Sequence, residues 1–240
     1  MATYQVRDGF FTDMSTISYS VLFSGTEVVS SKKMYVLDLG DGFADFRGEG
    51  FKYAANGTPK AGTVEKYFVY DGDMNQAVSF TGFEIGVKAF VKAASTMGTS
   101  DDQKLLATML SGNDKINGAD LADGLMGYAG KDTLYGAGGA DFLMGGAGND
   151  KYVYLAASES TLDAIDTILG FAHGEKIALA TIADFDFIGQ GAYTGAGPEV
   201  AWTVLDGDTY VIADADGDMD TDLAIKIDGE INLTEADFIL

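Results

Sequence analysis

Residues 127–154 read GYAGKDTLYGAGGADFLMGGAGNDKYVY. Asp132, Asp141 and Asp150 return there every nine residues, each behind a loop rich in glycine. The same phase runs back through Asp123 to Asp114. Two positions after each aspartate stands a large apolar residue: Ile116, Leu125, Leu134, Leu143 or Tyr152. A polar and an apolar residue locked in register over five units are the mark of a stacked repeat, in which one unit cannot bury its apolar side chain but neighbours together can.

With the aspartate sixth, the units are MLSGNDKIN, GADLADGLM, GYAGKDTLY, GAGGADFLM and GGAGNDKYV. The first half of each reads as a turn and the second as a short strand. Glycine at positions one, two and four lets the backbone take positive φ and turn its carbonyls toward one point. The aspartate adds a carboxylate. Six to eight such oxygens are what a hard cation such as Ca2+ takes. Two units make one turn of 18 residues, so loops on one side belong to alternate units. This predicts the carboxylate pairs Asp114/Asp132, Asp132/Asp150 and Asp123/Asp141, hence about three calcium ions. The alternative is a metal-free solenoid whose aspartates cap turns, with like-charged loops that repel one another.

These units resemble the G-G-x-G-x-D-x-U-x nonapeptide of the RTX (repeats-in-toxin) proteins. The resemblance implies a mainly β fold built on a parallel β-roll loaded with Ca2+. The fifth unit matches in full; the third and fourth depart only at Tyr128 and Ala137. The first lacks both opening glycines, and the second has Leu121 in place of the fourth-position glycine. The family's ions take loop carbonyls besides the aspartates. That implies metal-binding roles for Gly112, Gly127, Tyr128, Ala129, Gly130, Gly136, Ala137, Gly138, Gly139, Gly145, Gly146, Ala147 and Gly148. The best-matched site, Asp132/Asp150, would draw on Tyr128, Gly130, Gly145 and Ala147. Residues 145–182 are similar to the segment after the repeats in serralysin C-terminal domains, with Asp166 and Ile168 at that family's D-x-I. The ending DGEINLTEADFIL is similar to the tails of proteins exported by type I secretion machinery, Asp237 preceding Phe238, Ile239 and Leu240.

The rest of the chain reads as strand. Met34–Leu39, Thr63–Tyr70 and Ala77–Ile85 are β-branched and aromatic runs separated by Gly-Asp-Gly, Asn-Gly and Asp-Gly turns, which predict an antiparallel sheet or sandwich. Short helices are expected at residues 86–95 and, behind the capping-box pattern of Ser100 and Gln103, at 100–110. After the repeat, KIALATI, AWTVL, TYVIA and LAIKI alternate with period two. The expected division is a β-rich region at 1–108 and a roll with its C-terminal β region at 109–240, the repeats filling 109–153.

A second acidic run, Asp214-Ala-Asp216-Gly-Asp218-Met-Asp220-Thr-Asp222, alternates carboxylates as calcium loops do. It lacks a glutamate at the twelfth place, which is Ile225, so it reads either as a further Ca2+ loop or as a hairpin tip. Asp38 to Gly42 and Asp71 to Asp73 read as turns.

A formal charge of −22 repels nucleic acid and anionic membranes and attracts cations. No cysteine is present, so thiolate metal sites and disulfides are excluded. The single histidine, His173, excludes the H-E-x-x-H of a zinc metalloprotease. The N-terminus lacks the basic and apolar regions of a secretory leader. A chain with a C-terminal export signal has no need of one. The expectation is a secreted, extracellular, non-enzymatic protein, empty of Ca2+ inside the cell and folded by it outside, with a surface, matrix or partner-binding role for residues 1–108. The rivals are a secreted hydrolase with its active site in that region, and a protein that self-associates on binding calcium.

Overall fold

The computed structural model describes residues 1–7, 14, 26–38, 42–71, 73, 76–94 and 100–240. The described chain divides into two compact units, one formed by residues up to Lys115 and the other by Ile116–Leu240.

The first unit is an antiparallel sheet of β1 (Thr3–Val6), β2 (Thr26–Ser30), β3 (Met34–Asp38), β4 (Gly42–Tyr53), β5 (Pro59–Asp71) and β6 (Gln76–Gly86). The strands lie in the order β1-β6-β5-β4-β3-β2. Period-two alternation gives the sheet an inner face. Ala44, Phe46, Tyr67 and Phe80 occupy it, with Phe46 stacked on Tyr67 at 4.8 Å. Helix α1 (Val87–Ala94) covers that face with Val87, Phe90 and Ala93, and Phe90 meets Phe46 edge-on at 5.6 Å. Helix α2 (Ser100–Met109) buries Asp102, Leu105, Leu106 and Met109, a helical stripe. The Gln103 amide of the expected capping box donates to the Met14 carbonyl. The turn expected at residues 38–42 falls largely outside the described residues; at the other, the Asp73 N–H bonds the Asp71 carboxylate.

The second unit opens as a β-roll. Rungs of three residues alternate between two parallel sheets: β7 (Lys115–Asn117), β9 (Thr133–Tyr135), β11 (Lys151–Val153) and β13 (Lys176–Ala178) on one side, and β8 (Gly124–Met126), β10 (Phe142–Met144) and β12 (Asp166–Ile168) on the other. In six of the seven rungs the middle residue points inward, and in β12 it is the last residue, Ile168. Ile116, Leu125, Leu134, Leu143, Tyr152, Ile168 and Ile177 are all fully buried.

Among the five repeats, rungs on one side are 18 residues apart: Leu143 pairs with Leu125, and Tyr152 with Leu134. The next step is 25 residues: Phe142 pairs with Thr167, and Lys151 with Lys176. The seven extra residues fall in a loop that carries a 3₁₀ turn at Ala157–Glu159. Antiparallel pairing enters in the second half of the unit, in the run of the last long strands. β14 (Asp186–Gly189), β15 (Glu199–Leu205), β16 (Asp208–Asp214) and β17 (Leu223–Ile227) extend the second sheet, β17 lying parallel to β12. β18 (Phe238–Ile239) closes the first sheet against β13.

Candidate metal centre

The loops of alternate repeats stack directly on one another. Between residues 127–132 and 145–150, the Ala147 N–H donates to the Tyr128 carbonyl and the Gly130 N–H to the Ala147 carbonyl, both at 2.8 Å. The Asp132 N–H then donates to Asp150 Oδ1 at 2.8 Å, and the Lys151 N–H to the Asp132 carbonyl at 2.9 Å. The other side repeats this scheme: Gly138 N–H to the Ala119 carbonyl, Asp123 N–H to Asp141 Oδ1 at 2.7 Å, Phe142 N–H to the Asp123 carbonyl. Asp141 and Asp150 therefore each use one oxygen to tie down the main chain of the loop one turn before. The pairs Asp132/Asp150 and Asp123/Asp141 are brought together within the second unit. Asp114 belongs to the first unit, where the Ala2 and Gly112 N–H groups donate to its carboxylate.

The glycines have two different uses. At positions two and four the backbone is left-handed: φ is 99° at Gly146, and 139°, 118° and 148° at Gly130, Gly139 and Gly148. Tyr128 and Ala137, the departures from glycine at position two, adopt the same φ, 66° and 69°. Position one does not share this conformation. A Cβ on Gly127, Gly136 or Gly145 would lie 2.5, 2.1 or 2.3 Å from Oδ2 of the aspartate of its own unit. Glycine there makes room for the carboxylate rather than for positive φ, which corrects the role expected from sequence.

The second carboxylate oxygen is the decisive feature. Oδ2 of Asp141, Asp150 and Asp166 is buried and accepts no hydrogen bond of ordinary geometry, although the Tyr154 hydroxyl interacts with Asp166 and the Glu175 carboxyl with Asp150. Burying an ionised oxygen without a partner costs enough that it takes a proton or a cation instead. Burial, reinforced by the Asp166 charge, pushes the Asp141 carboxyl up to about 8. Burial pushes Asp166 up to about 7, against the pull of the Asp141 N–H hydrogen bond. These carboxylates and the loop carbonyls form an oxygen-only donor set that fits calcium.

Asp166 was read from sequence as part of a D-x-I, not as a member of the ladder. It is one: the Asp141 N–H donates to its Oδ1 at 2.9 Å, as Asp123 does to Asp141. Glu175 stands nine residues further on, fully buried, with Ile177 inward behind it. Burial first, and the Asp150 charge with it, push Glu175 up to about 7 despite the Ala172 N–H bond. The signal that could have found both residues is the resumption of the nine-residue spacing after a seven-residue slip.

The second acidic run is the tip joining β16 to β17. Ligand oxygens of Asp214, Asp216 and Asp218 lie within 4.8 Å of one another. The buried Asp214 carboxylate is taken up by the N–H groups of Gly217 and Met219, at 2.7 and 2.8 Å. His173 stands in the turn before β13, its Nδ1 2.9 Å from Asp237 Oδ1.

A family model described as the peptidase M10 serralysin C terminal matches residues 66–240. The chain belongs to the serralysin C-terminal family. Its roll is the RTX-type repeat of that family, whose repeats bind Ca2+. The match begins within β5 and so takes in β6, α1 and α2 as well as the roll. Two solved structures are similar in part, both subunits of the Azotobacter vinelandii mannuronan C5-epimerase. The AlgE6R3 subunit is 27% identical over 53% of this chain and 73% of that one, with a TM-score of 0.42. The AlgE6R2 subunit is 24% identical over 54% and 88%, with a TM-score of 0.39. No curated protein sequence matches the chain. Among the described residues, no helix is long and apolar enough to cross a membrane.

Proposed function

We propose that this protein is a non-enzymatic, calcium-dependent RTX protein of the extracellular space, exported unfolded by type I secretion machinery and folded by the ions it meets outside. The observation that carries this reading is the set of buried, unbonded Oδ2 atoms on Asp141, Asp150 and Asp166. An ionised stack of such oxygens needs positive charge among them. Extracellular calcium modules bind at about 10⁻⁴–10⁻³ M, so the loops fill outside the cell and stay empty within it. Binding free energy then becomes folding free energy.

Within the second unit the ions lie between successive loops on one side, at Asp132/Asp150 and Asp123/Asp141. Asp141/Asp166 offers a further pair of the same form. The C-terminal tail serves as the export signal, and the first unit carries a surface, matrix or partner-binding role.

Counting ions by native mass spectrometry in millimolar calcium tests the assignment. Asp132→Ala removes the ion held with Asp150, whereas Asp214→Ala leaves that set whole. A chain that carries no calcium, or an Asp132→Ala chain that carries as many ions as the parent, contradicts it.

A further inference from the structure

Two surfaces outside the roll complement each other. On the first unit, a groove of about 560 Å³ lies between the turn joining β4 to β5 and helix α1. The half-buried Ala54 and Val91 give it apolar walls, and the exposed Lys60, Lys88 and Lys92 set ammonium groups around them. Lys88 and Lys92 are four apart on α1 and so share one face. This groove belongs to a chain of charge −22, yet the only basic residues beyond residue 115 are Lys131, Lys151, Lys176 and Lys226. The cations are concentrated in the first unit and the anions in the second.

The tip between β16 and β17 is the reverse. Met219 is 59% exposed at its end, with a left-handed φ of 73°. The exposed Asp216, Asp218 and Asp220 surround it. The tip is ordered before it meets anything. Asp214 holds the Gly217 and Met219 N–H groups, and Asp222 holds that of Ala215 at 2.7 Å. An apolar knob ringed by carboxylates, already fixed in shape, loses little freedom on binding.

We propose that this tip docks into the Lys60–Lys88–Lys92 groove of a second copy of the chain. Met219 meets the Ala54 and Val91 walls, and the aspartates meet the lysines. The two surfaces are different, so the contact is heterologous: each bound copy still has one unused tip and one unused groove, and the assembly runs head to tail. The contact uses no roll residue and is independent of the ions proposed above.

Sedimentation velocity in millimolar calcium tests it. The parent chain gains mass with concentration at low salt and returns to monomer in about 0.5 M sodium chloride, where exposed charges are screened. The variants Lys88→Glu/Lys92→Glu and Asp218→Lys/Asp220→Lys each weaken association about tenfold or more. Mixing the two restores it, since the lysine groove of one accepts the aspartate tip of the other. Met219→Ser weakens association without changing any charge. A parent chain that stays monomeric at low salt overturns the proposal. So does association that both charge-reversal variants leave intact, or a mixture no larger than its components.

Discussion

Asp132 and Asp150 stand one full turn of the roll apart, and the main-chain N–H of the first donates to the carboxylate of the second across 2.8 Å. The same carboxylate keeps its other oxygen buried and unbonded. One side chain thus joins two loops through its first oxygen and faces the proposed cation with its second. Removing it affects both. Asp150→Ala leaves the buried Asp132 N–H without this acceptor, which costs about 1–3 kcal/mol of the folded roll's stability. It also raises the calcium concentration needed for folding. Denaturant unfolding in saturating calcium reads the first effect, and the midpoint of the calcium titration reads the second.

Close approach makes the roll glycines unequal. A Cβ on Gly148 would lie 1.5 Å from the Gly130 carbonyl oxygen, in a backbone at φ 148°. A Cβ on Gly170, at φ 71°, meets nothing within 4 Å. Gly148→Ala is therefore expected to cost about 2–4 kcal/mol through overpacking and strain together, and Gly170→Ala about 1 kcal/mol through strain alone. Ala137 already sits at φ 69°, so Ala137→Gly is expected to stabilise by a few tenths to about 1 kcal/mol. Thermal unfolding of the three variants in calcium checks the order.

Calcium affinity should rise with pH. Burial and neighbouring charge push Asp141 up to about 8 and Asp166 up to about 7 in the calcium-free fold. A raised carboxylate holds a proton in the fold that it sheds on unfolding. Its contribution to the calcium-free fold is whole below about pH 4 and is lost as pH climbs through 7 and 8. Calcium has to displace those protons. Binding is expected to be tighter at about pH 8 than at about pH 6, with protons released on calcium addition near neutral pH. A weakly buffered calorimetric titration reads both. Affinity independent of pH would count against these two ligands.

The C-terminal strand is held by a different device. Asp237 takes the His173 ring on one oxygen and the Thr234 N–H and hydroxyl on the other. Burial raises its pKa, but these bonds from His173 and Thr234 outweigh that and hold the carboxyl below its usual range. The stability they add is present above about pH 4 and is lost as pH falls below it. His173 is largely exposed, so His173→Ala is expected to cost less than about 1 kcal/mol, whereas Asp237→Ala removes the cap as well and costs about 1–2 kcal/mol. Limited proteolysis of the tail, compared between the variants, reads the difference.

The parts of the fold visible in sequence are those specified by local spacing. The aspartate register placed every rung from Ile116 to Tyr152, since each unit repeats the same turn and the same inward residue. Strands β3 and β6 matched their β-branched runs to within a residue or two, and the hairpin tip at Asp214–Asp222 fell between the alternating segments that became β16 and β17. The register was lost where the chain inserts seven residues after Tyr154. Asp166 belongs to the same ladder and Glu175 stands at the equivalent place in the next unit, both out of phase with the repeats, and the pairing of β10 with β12 and of β11 with β13 reveals them. KIALATI read as one strand but forms a three-residue rung ending at Ala178, because the roll turns at the length of a rung. The glycine at position one could not be understood from sequence, since its neighbour is the carboxylate of its own unit, known only once the loop is folded.

The central claim is that positive charge among the buried carboxylates is what folds the roll. Circular dichroism of the purified chain, titrated from chelator into millimolar calcium, tests it most directly. The account predicts a coil-to-β transition at submillimolar to millimolar calcium, shifted to higher calcium or abolished by Asp132→Ala. A chain fully folded in chelator, with a spectrum and unfolding midpoint indifferent to calcium, would contradict it.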